Sequence, residues 1–129
     1  MDLCTYIERR GSEIVEETDG FSRTFCFTPD FPGFDGHFPG NPILPGVIQT
    51  LLGETSSLSI LNMQFPHESF VLTSVTRCKF LRPIKPDENI SLGFNIKNKQ
   101  EKHISICKIT VKNEIAASYQ LIFSPEVKS

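Results

Sequence analysis

Hydrophobic positions change period along this chain. Phe21, Arg23, Phe25 and Phe27 alternate with Ser22, Thr24 and Cys26. Period-two alternation rich in aromatics predicts a strand, closed by Pro29. Ahead of it, Ile14 and Val15 begin a short edge strand before the turn at Asp19-Gly20. From Gly46 the period lengthens. Val47, Ile48, Leu51, Leu52, Thr55, Leu58 and Leu61 recur at three- and four-residue intervals, which predicts a helix with one buried face. Pro45 suits a helix start, where its missing N–H costs nothing. The pattern fades near Asn62, giving about 16 residues and roughly 24 Å of helix. Gly53, Ser56, Ser57 and Ser59 keep this helix narrow, as expected where a sheet curls closely around it. Four β-rich runs follow, over 69–82, 89–97, 103–111 and from Ile115 to Phe123. Their close spacing predicts an antiparallel meander. The layout is α+β: a curved antiparallel sheet of five to six strands against one long central helix, in a single domain over residues 1–129.

Composition narrows the partners. With a net charge of −2, the chain lacks the basic surface that nucleic acid requires. No run approaches the ~18 apolar residues of a spanning helix, and no apolar segment follows the acidic start Met-Asp-Leu-Cys. A cytoplasmic protein without membrane association is expected. Cys4, Cys26, Cys78 and Cys107 are widely spaced, and buried free thiols fit better than a disulfide framework or a zinc site. No cofactor or metal site is expected. The eleven phenylalanines suit a dry core or an acyl-lined cavity.

Between strand and helix lies the densest run of turn residues. Residues 29–46 hold five of the nine prolines and four of the eight glycines, so the path is fixed rather than flexible. Within it, His37 stands between Gly36 and Phe38-Pro39-Gly40. An isolated histidine more often bonds its own loop. One set in GHFPGNP before a helix start points to function, since imidazole exchanges protons near neutrality.

The run His37-Phe38-Pro39-Gly40-Asn41-Pro42-Ile43-Leu44-Pro45-Gly46-Val47 resembles the HFPGxPhhPGhh signature (h, apolar) of the β-hydroxyacyl-(acyl carrier protein) dehydratases. Phe80-Leu81-Arg82-Pro83-Ile84-Lys85-Pro86-Asp87 is similar to a second motif of that family, FxRPVxPGD, with Asp87 in place of the glycine. The ILPGVxQ form, with Gln49, also resembles a divergent branch associated with aryl-polyene-type lipid synthesis. The resemblance covers roughly residues 20–124 and implies a hotdog fold and a hydro-lyase of fatty acid or related lipid synthesis. The substrate would be a 3-hydroxyacyl thioester of acyl carrier protein or CoA, handled by a homodimer or higher homo-oligomer. It assigns His37 as base, the Gly46 amide as oxyanion donor and the Ile43 carbonyl as the group orienting the histidine, with Val47 beside them in the substrate site.

The donor assignment agrees with elementary chemistry. The first N–H groups of a helix are unpaired and lie at the positive end of its dipole, and glycine lets a substrate carbonyl approach. One part departs from the family. Its helix acid stands fourteen residues after the histidine, which here is Leu51. The next acid is Glu54, about 60° farther round the helix. Its seven-residue spacing from Val47 puts it near the buried stripe, where a carboxyl with a raised pKa would serve as an acid. Equally, it is an interface or exposed glutamate. Gln49, about 160° from Leu51, is a loop-contacting amide. Arg77, Lys79, Arg82 and Lys85 form a basic cluster that would steer an acidic carrier protein or, more simply, protect a strand edge. His67 and His103 are surface histidines. Two alternatives therefore stand beside the dehydratase. One is a non-catalytic hotdog subunit that binds acyl chains or carrier protein, or pairs with an active homologue in a heterodimer. The other is a hotdog thioesterase using Glu54 and a water.

Overall fold

The structure, a computed structural model, describes residues 2–34 and 40–126. Six strands form one antiparallel sheet: β1 (Val15–Glu17), β2 (Gly20–Phe25), β3 (Phe70–Phe80), β4 (Ile90–Lys99), β5 (Lys102–Val111) and β6 (Glu114–Pro125). Their spatial order is β1-β2-β4-β5-β6-β3. The long helix α2 (Gly46–Gln64) packs across the sheet, with a short helix α1 (Leu3–Arg10) beside it. This is the hotdog arrangement expected from the sequence.

Three details differ from the sequence expectation. The four late strands are not a continuous meander: β4, β5 and β6 are, but β3 crosses to the far edge and pairs with β6. Loop length decides this, since residues 81–89 are long enough to carry the chain across the sheet. Secondly, α1 is present although its period is too short to read. Only Ile7 is buried. The Asp2 side chain caps it by accepting from the Thr5 N–H at 2.8 Å, Arg9 and Arg10 lie at the negative end of its dipole, and Gly11 ends it. Thirdly, only Cys107 of the four free thiols is buried; Cys4 and Cys78 are exposed.

The buried face of α2 is Ile48, Gln49, Leu52, Gly53, Ser56, Ser57, Ile60 and Leu61. Small residues sit where the sheet comes close. A methyl on Gly53 would lie 2.6 Å from Tyr119 Oη and 2.9 Å from Cys107 Sγ. Across the sheet, Leu92, Phe94, Cys107, Ile109, Tyr119 and Leu121 face the helix and complete the core. Arg23, placed by alternation among phenylalanines, is also buried. Its guanidinium meets Glu8 of α1 at 2.9 Å, the Ser12 carbonyl at 3.1 Å and Ser56 Oγ at 3.2 Å, and it lies over the Phe25 ring. This one side chain ties α1, the sheet and α2 together.

Candidate functional site

The chain approaches α2 through aromatic packing. Phe27 and Phe31 stack with centroids 4.3 Å apart, and Phe34 stands edge-on to Phe31 at 5.7 Å. Phe34 is the last residue before residues 35–39. His37, the candidate base, lies outside the described residues.

Beyond the gap the geometry is explicit. The Leu44 N–H donates to the Ile84 carbonyl at 2.8 Å, which ties the two family-like motifs together. The Pro45 carbonyl accepts from both Ile48 and Gln49 N–H, closing the first turn of α2. Among the described residues nothing accepts from the Gly46 N–H. Gly46 borders a cleft of about 450 Å³, lined also by Ile43, Gln49, Phe80, Leu81 and Arg82. The structure therefore brings Gly46 and Ile43 together. Val47 is adjacent in the chain but turns outward, 68% exposed.

Gly46 has a steric reason to be glycine: a Cβ there would lie 2.7 Å from the Phe80 ring. Gln49 is 3% exposed. Its Nε2 donates to the Leu44 carbonyl at 3.1 Å, so it is the loop-contacting amide the sequence suggests. Among the described residues, Gln49 Oε1 and Arg82 Nη1 have no partner.

The second motif explains its own departure. Asp87 adopts φ +67°, a left-handed conformation that favours glycine. Its N–H donates to the Phe27 carbonyl at 2.7 Å, which holds the turn. The basic cluster is not a uniform patch. Arg82 is paired with Glu88 at 3.1 Å and approaches Glu114 at 3.9 Å. Burial works to raise the Glu88 carboxyl, but the Lys85 N–H and Arg82 hold it below the ordinary range. Arg77 and Lys79 stay exposed at a bulge of β3, where Arg77 has φ +52°.

Glu54 does not join the buried stripe. Val47, its heptad neighbour, is exposed, so that spacing marks the outer side of α2 rather than the core. Glu54 is half-buried, beside the partly buried Leu51 and Leu58. Burial raises its carboxyl above the ordinary value. The Cys4 thiol of α1 is raised by burial and then by the charges of Asp2, Glu54 and Glu8. His103 is likewise not a free surface histidine, since it lies half-buried against Phe65 and Phe70 with Nδ1 2.5 Å from Asn98 Oδ1. His67 is exposed as expected. Sequence reasoning missed Tyr119, which bonds α2 from β6. Its place in an alternating strand shows burial but not the hydroxyl's partner.

Among the described residues no group of three or more His, Cys, Asp or Glu could hold a metal ion, and no helix is long and apolar enough to cross a membrane. A second depression, about 480 Å³, opens beside α1 at Glu8, Ser12, Arg23 and Met63.

Fold and site together define a hotdog protein whose central helix begins at a cleft with an amide that has no acceptor among the described residues. By sequence the chain belongs to the ApeI-like family, described as ApeI dehydratase, which it matches over residues 13–120. It is 33% identical over 93 residues to the 3-hydroxyacyl-(acyl-carrier-protein) dehydratase FabZ of Levilactobacillus brevis, covering 70% of this chain and 63% of that protein. The FabZ of a Thermoanaerobacter species is 32% identical over 101 residues, covering 74% of this chain and 70% of that one. The chain thus spans about two thirds of the length of these relatives. Among solved structures it is similar to yhdA, a candidate thioesterase from Lactococcus lactis, with TM-score 0.78 and 18% identity over 99% of this chain and 100% of that one. It is also similar to the dehydratase heterocomplex ApeI:P from Xenorhabdus doucetiae, with TM-score 0.67 and 18% identity over 88% and 96%.

Proposed function

We propose that this protein acts on acyl thioesters of acyl carrier protein or CoA, with the thioester carbonyl received by the Gly46 amide. The observation that carries this is Gly46 at the positive end of α2, its N–H without an acceptor among the described residues and the residue itself lining a cleft. Dehydration of a 3-hydroxyacyl thioester is the reaction the sequence signature supports. His37 would take the α-proton, the Gly46 amide would hold the oxygen as it gains charge, and an acid would protonate the departing hydroxyl. Glu54 is the proposed acid, because its raised carboxyl keeps a proton to higher pH than an exposed one. The reading carries with it a cytoplasmic location and a homodimer. Support for the dimer comes from β3, an edge strand that leaves Val71, Val75 and Phe80 exposed, with Leu81 just beyond its end.

A second reading has specific support and competes on equal terms or better. Leu51 cannot transfer a proton, Glu54 lies off the buried stripe of α2, and the fold agrees more closely with a candidate thioesterase than with the dehydratase heterocomplex. A hotdog thioesterase, or a non-catalytic subunit paired with an active homologue, would keep the Gly46 cleft and dispense with the acid at position 51.

One assay separates them. Purified protein is given enoyl and 3-hydroxyacyl thioesters, and both enoyl absorbance and free thiol are followed. The dehydratase reading expects enoyl–hydroxyacyl interconversion, lost in His37→Ala and reduced at least about tenfold in Glu54→Gln. Thiol release without enoyl product would establish the thioesterase. Thioester binding without turnover, together with a stoichiometric dehydratase partner from the native host, would establish the non-catalytic subunit.

A further inference from the structure

One hydroxyl of the sheet bonds the backbone of α2 near its start. Tyr119, on β6, is 1% exposed. Its Oη donates to the Gln49 carbonyl at 2.6 Å and accepts from the Gly53 N–H at 3.1 Å. Those two groups are the i and i+4 ends of one helical rung. The hydroxyl therefore engages both sides of the backbone one turn after Gly46. Gly53 is glycine for the same reason, since a methyl would lie 2.6 Å from Oη and 2.7 Å from the ring. The linkage continues through Gln49, whose side chain bonds the Leu44 carbonyl at 3.1 Å. Leu44 lies between Ile43 and Pro45, and its N–H is tied to Ile84.

We propose that Tyr119 and Gln49 are positioning residues of the site: Tyr119 fixes the first turn of α2 against β6, and Gln49 passes that constraint to the loop, so the Gly46 amide and the Ile43 carbonyl keep one relative geometry. This rests on the reading of Gly46 as the thioester donor. The physical requirement is strict, because an oxyanion donor works only when held within hydrogen-bond distance of the place where charge develops. Burial makes the hydroxyl's role specific. It is desolvated, and both of its contacts are to backbone groups that cannot move without moving the helix. Burial also raises Tyr119 well above the ordinary phenol value, so it stays protonated and donating throughout the working pH range.

The test pairs Tyr119→Phe with Gly53→Ala. Phenylalanine keeps the ring, so amide signals are not displaced by a lost ring current. Alanine at 53 displaces the hydroxyl from the other side. Both variants should lower kcat for thioester turnover by roughly tenfold or more with KM within about twofold, and their effects should not add in the double variant. In backbone and side-chain amide NMR, the Gly46 N–H and Gln49 NH₂ signals should move in both variants, while Val15 on the remote edge stays in place. Unmoved Gly46 and Gln49 signals in Tyr119→Phe would overturn the proposal. So would moved signals with wild-type kcat, or a kcat loss that merely follows the unfolded fraction. A wild-type protein that neither binds nor turns over thioesters would sink the functional reading instead, and the amide signals would still decide whether the brace exists.

Discussion

Replacing Gly46 with alanine separates the site's geometry from the fold's stability. The backbone tolerates it, because Gly46 has ordinary helical geometry. The new methyl would lie 2.7, 2.8 and 3.2 Å from three atoms of the Phe80 ring. Carbon–carbon contacts prefer about 3.5–4.0 Å, so the ring must retreat by roughly 1 Å. Phe80 is 48% exposed and can swing toward solvent. Uncovering ~40 Å² of apolar surface costs about 1 kcal/mol at ~25 cal/mol per Å². Alanine in a helix recovers up to about 1 kcal/mol relative to glycine, less at the first position. The two effects nearly cancel. For a chain of this length, about 2 cal/mol/K per residue makes 1 kcal/mol worth roughly 4 °C, so Tm should stay within about 4 °C of wild type. Turnover should not survive as well. A methyl at the mouth of the cleft keeps a substrate carbonyl from the Gly46 N–H, and loss of one oxyanion donor typically costs ~10²–10³ in kcat. Thermal unfolding by circular dichroism and thioester turnover on the same sample provide both readouts. Activity within twofold of wild type would refute the assignment of Gly46 as donor. A fall in Tm beyond about 10 °C would refute the packing argument.

Two further substitutions test the frame around the site. Arg23→Met leaves the Glu8 carboxylate, the Ser12 carbonyl and Ser56 without their shared donor. Because Glu8 is 45% exposed and water takes over part of its pairing, losing this set of hydrogen bonds costs about 2 kcal/mol, so Tm should fall by roughly 7 °C; an unchanged Tm would show that α1 is not anchored there. Glu54→Gln tests the carboxyl raised by burial. The folded state favours its protonated form, so its contribution is fully present below the ordinary value of 4.5 and is lost as pH rises through the higher folded value. Glutamine escapes that loss. The variant should match wild type near pH 4 and melt higher at pH 7.5, and a lower Tm at pH 7.5 would reverse the argument.

Where local period and burial coincide, the sequence was legible. The alternation of Ile90, Leu92 and Phe94 and the three-four spacing from Ile48 to Leu61 give β4 and α2 directly, because each side chain's neighbour is set by its own element. What was hidden depends on partners distant in sequence. Strand β3 reads as a strand, but its place beside β6 is set by a crossover, and nothing in residues 70–80 specifies which neighbour it takes. Glu54 was misplaced because Val47 looked like a core residue. Small residues such as Gly53, Ser56 and Ser57 carry the buried stripe here, and a hydrophobicity pattern cannot register them. Tyr119 shows the same limit at one atom, since alternation places the ring inside but not its hydroxyl on the backbone 66 residues away. Of the candidate site, the placing of Gly46 and Ile43 at one cleft and the contact of Gln49 with its loop were legible in the sequence; the roles proposed for them are visible in neither sequence nor structure.

Holding a carbonyl and supplying a proton make different physical demands on this site. The Gly46 donor, the Gln49 brace and the Leu44–Ile84 tie are made mostly of backbone groups. On the proposed reading they would receive a thioester carbonyl whatever happens next to the acyl chain. The acid is different, because a proton must go to a particular atom of a particular substrate. A side chain at position 51 can therefore change from carboxylate to leucine without disturbing the cleft, and Leu51 packs against the core as a leucine should. Glu54 cannot inherit that place by sequence proximity alone. It lies about 60° farther round α2, so to act as the acid its carboxyl would have to reach the cleft by side-chain extension or serve a site completed by a second chain. On the proposed reading, thioester binding and choice of reaction would be separable properties, with Leu51 bearing on the second without touching the first.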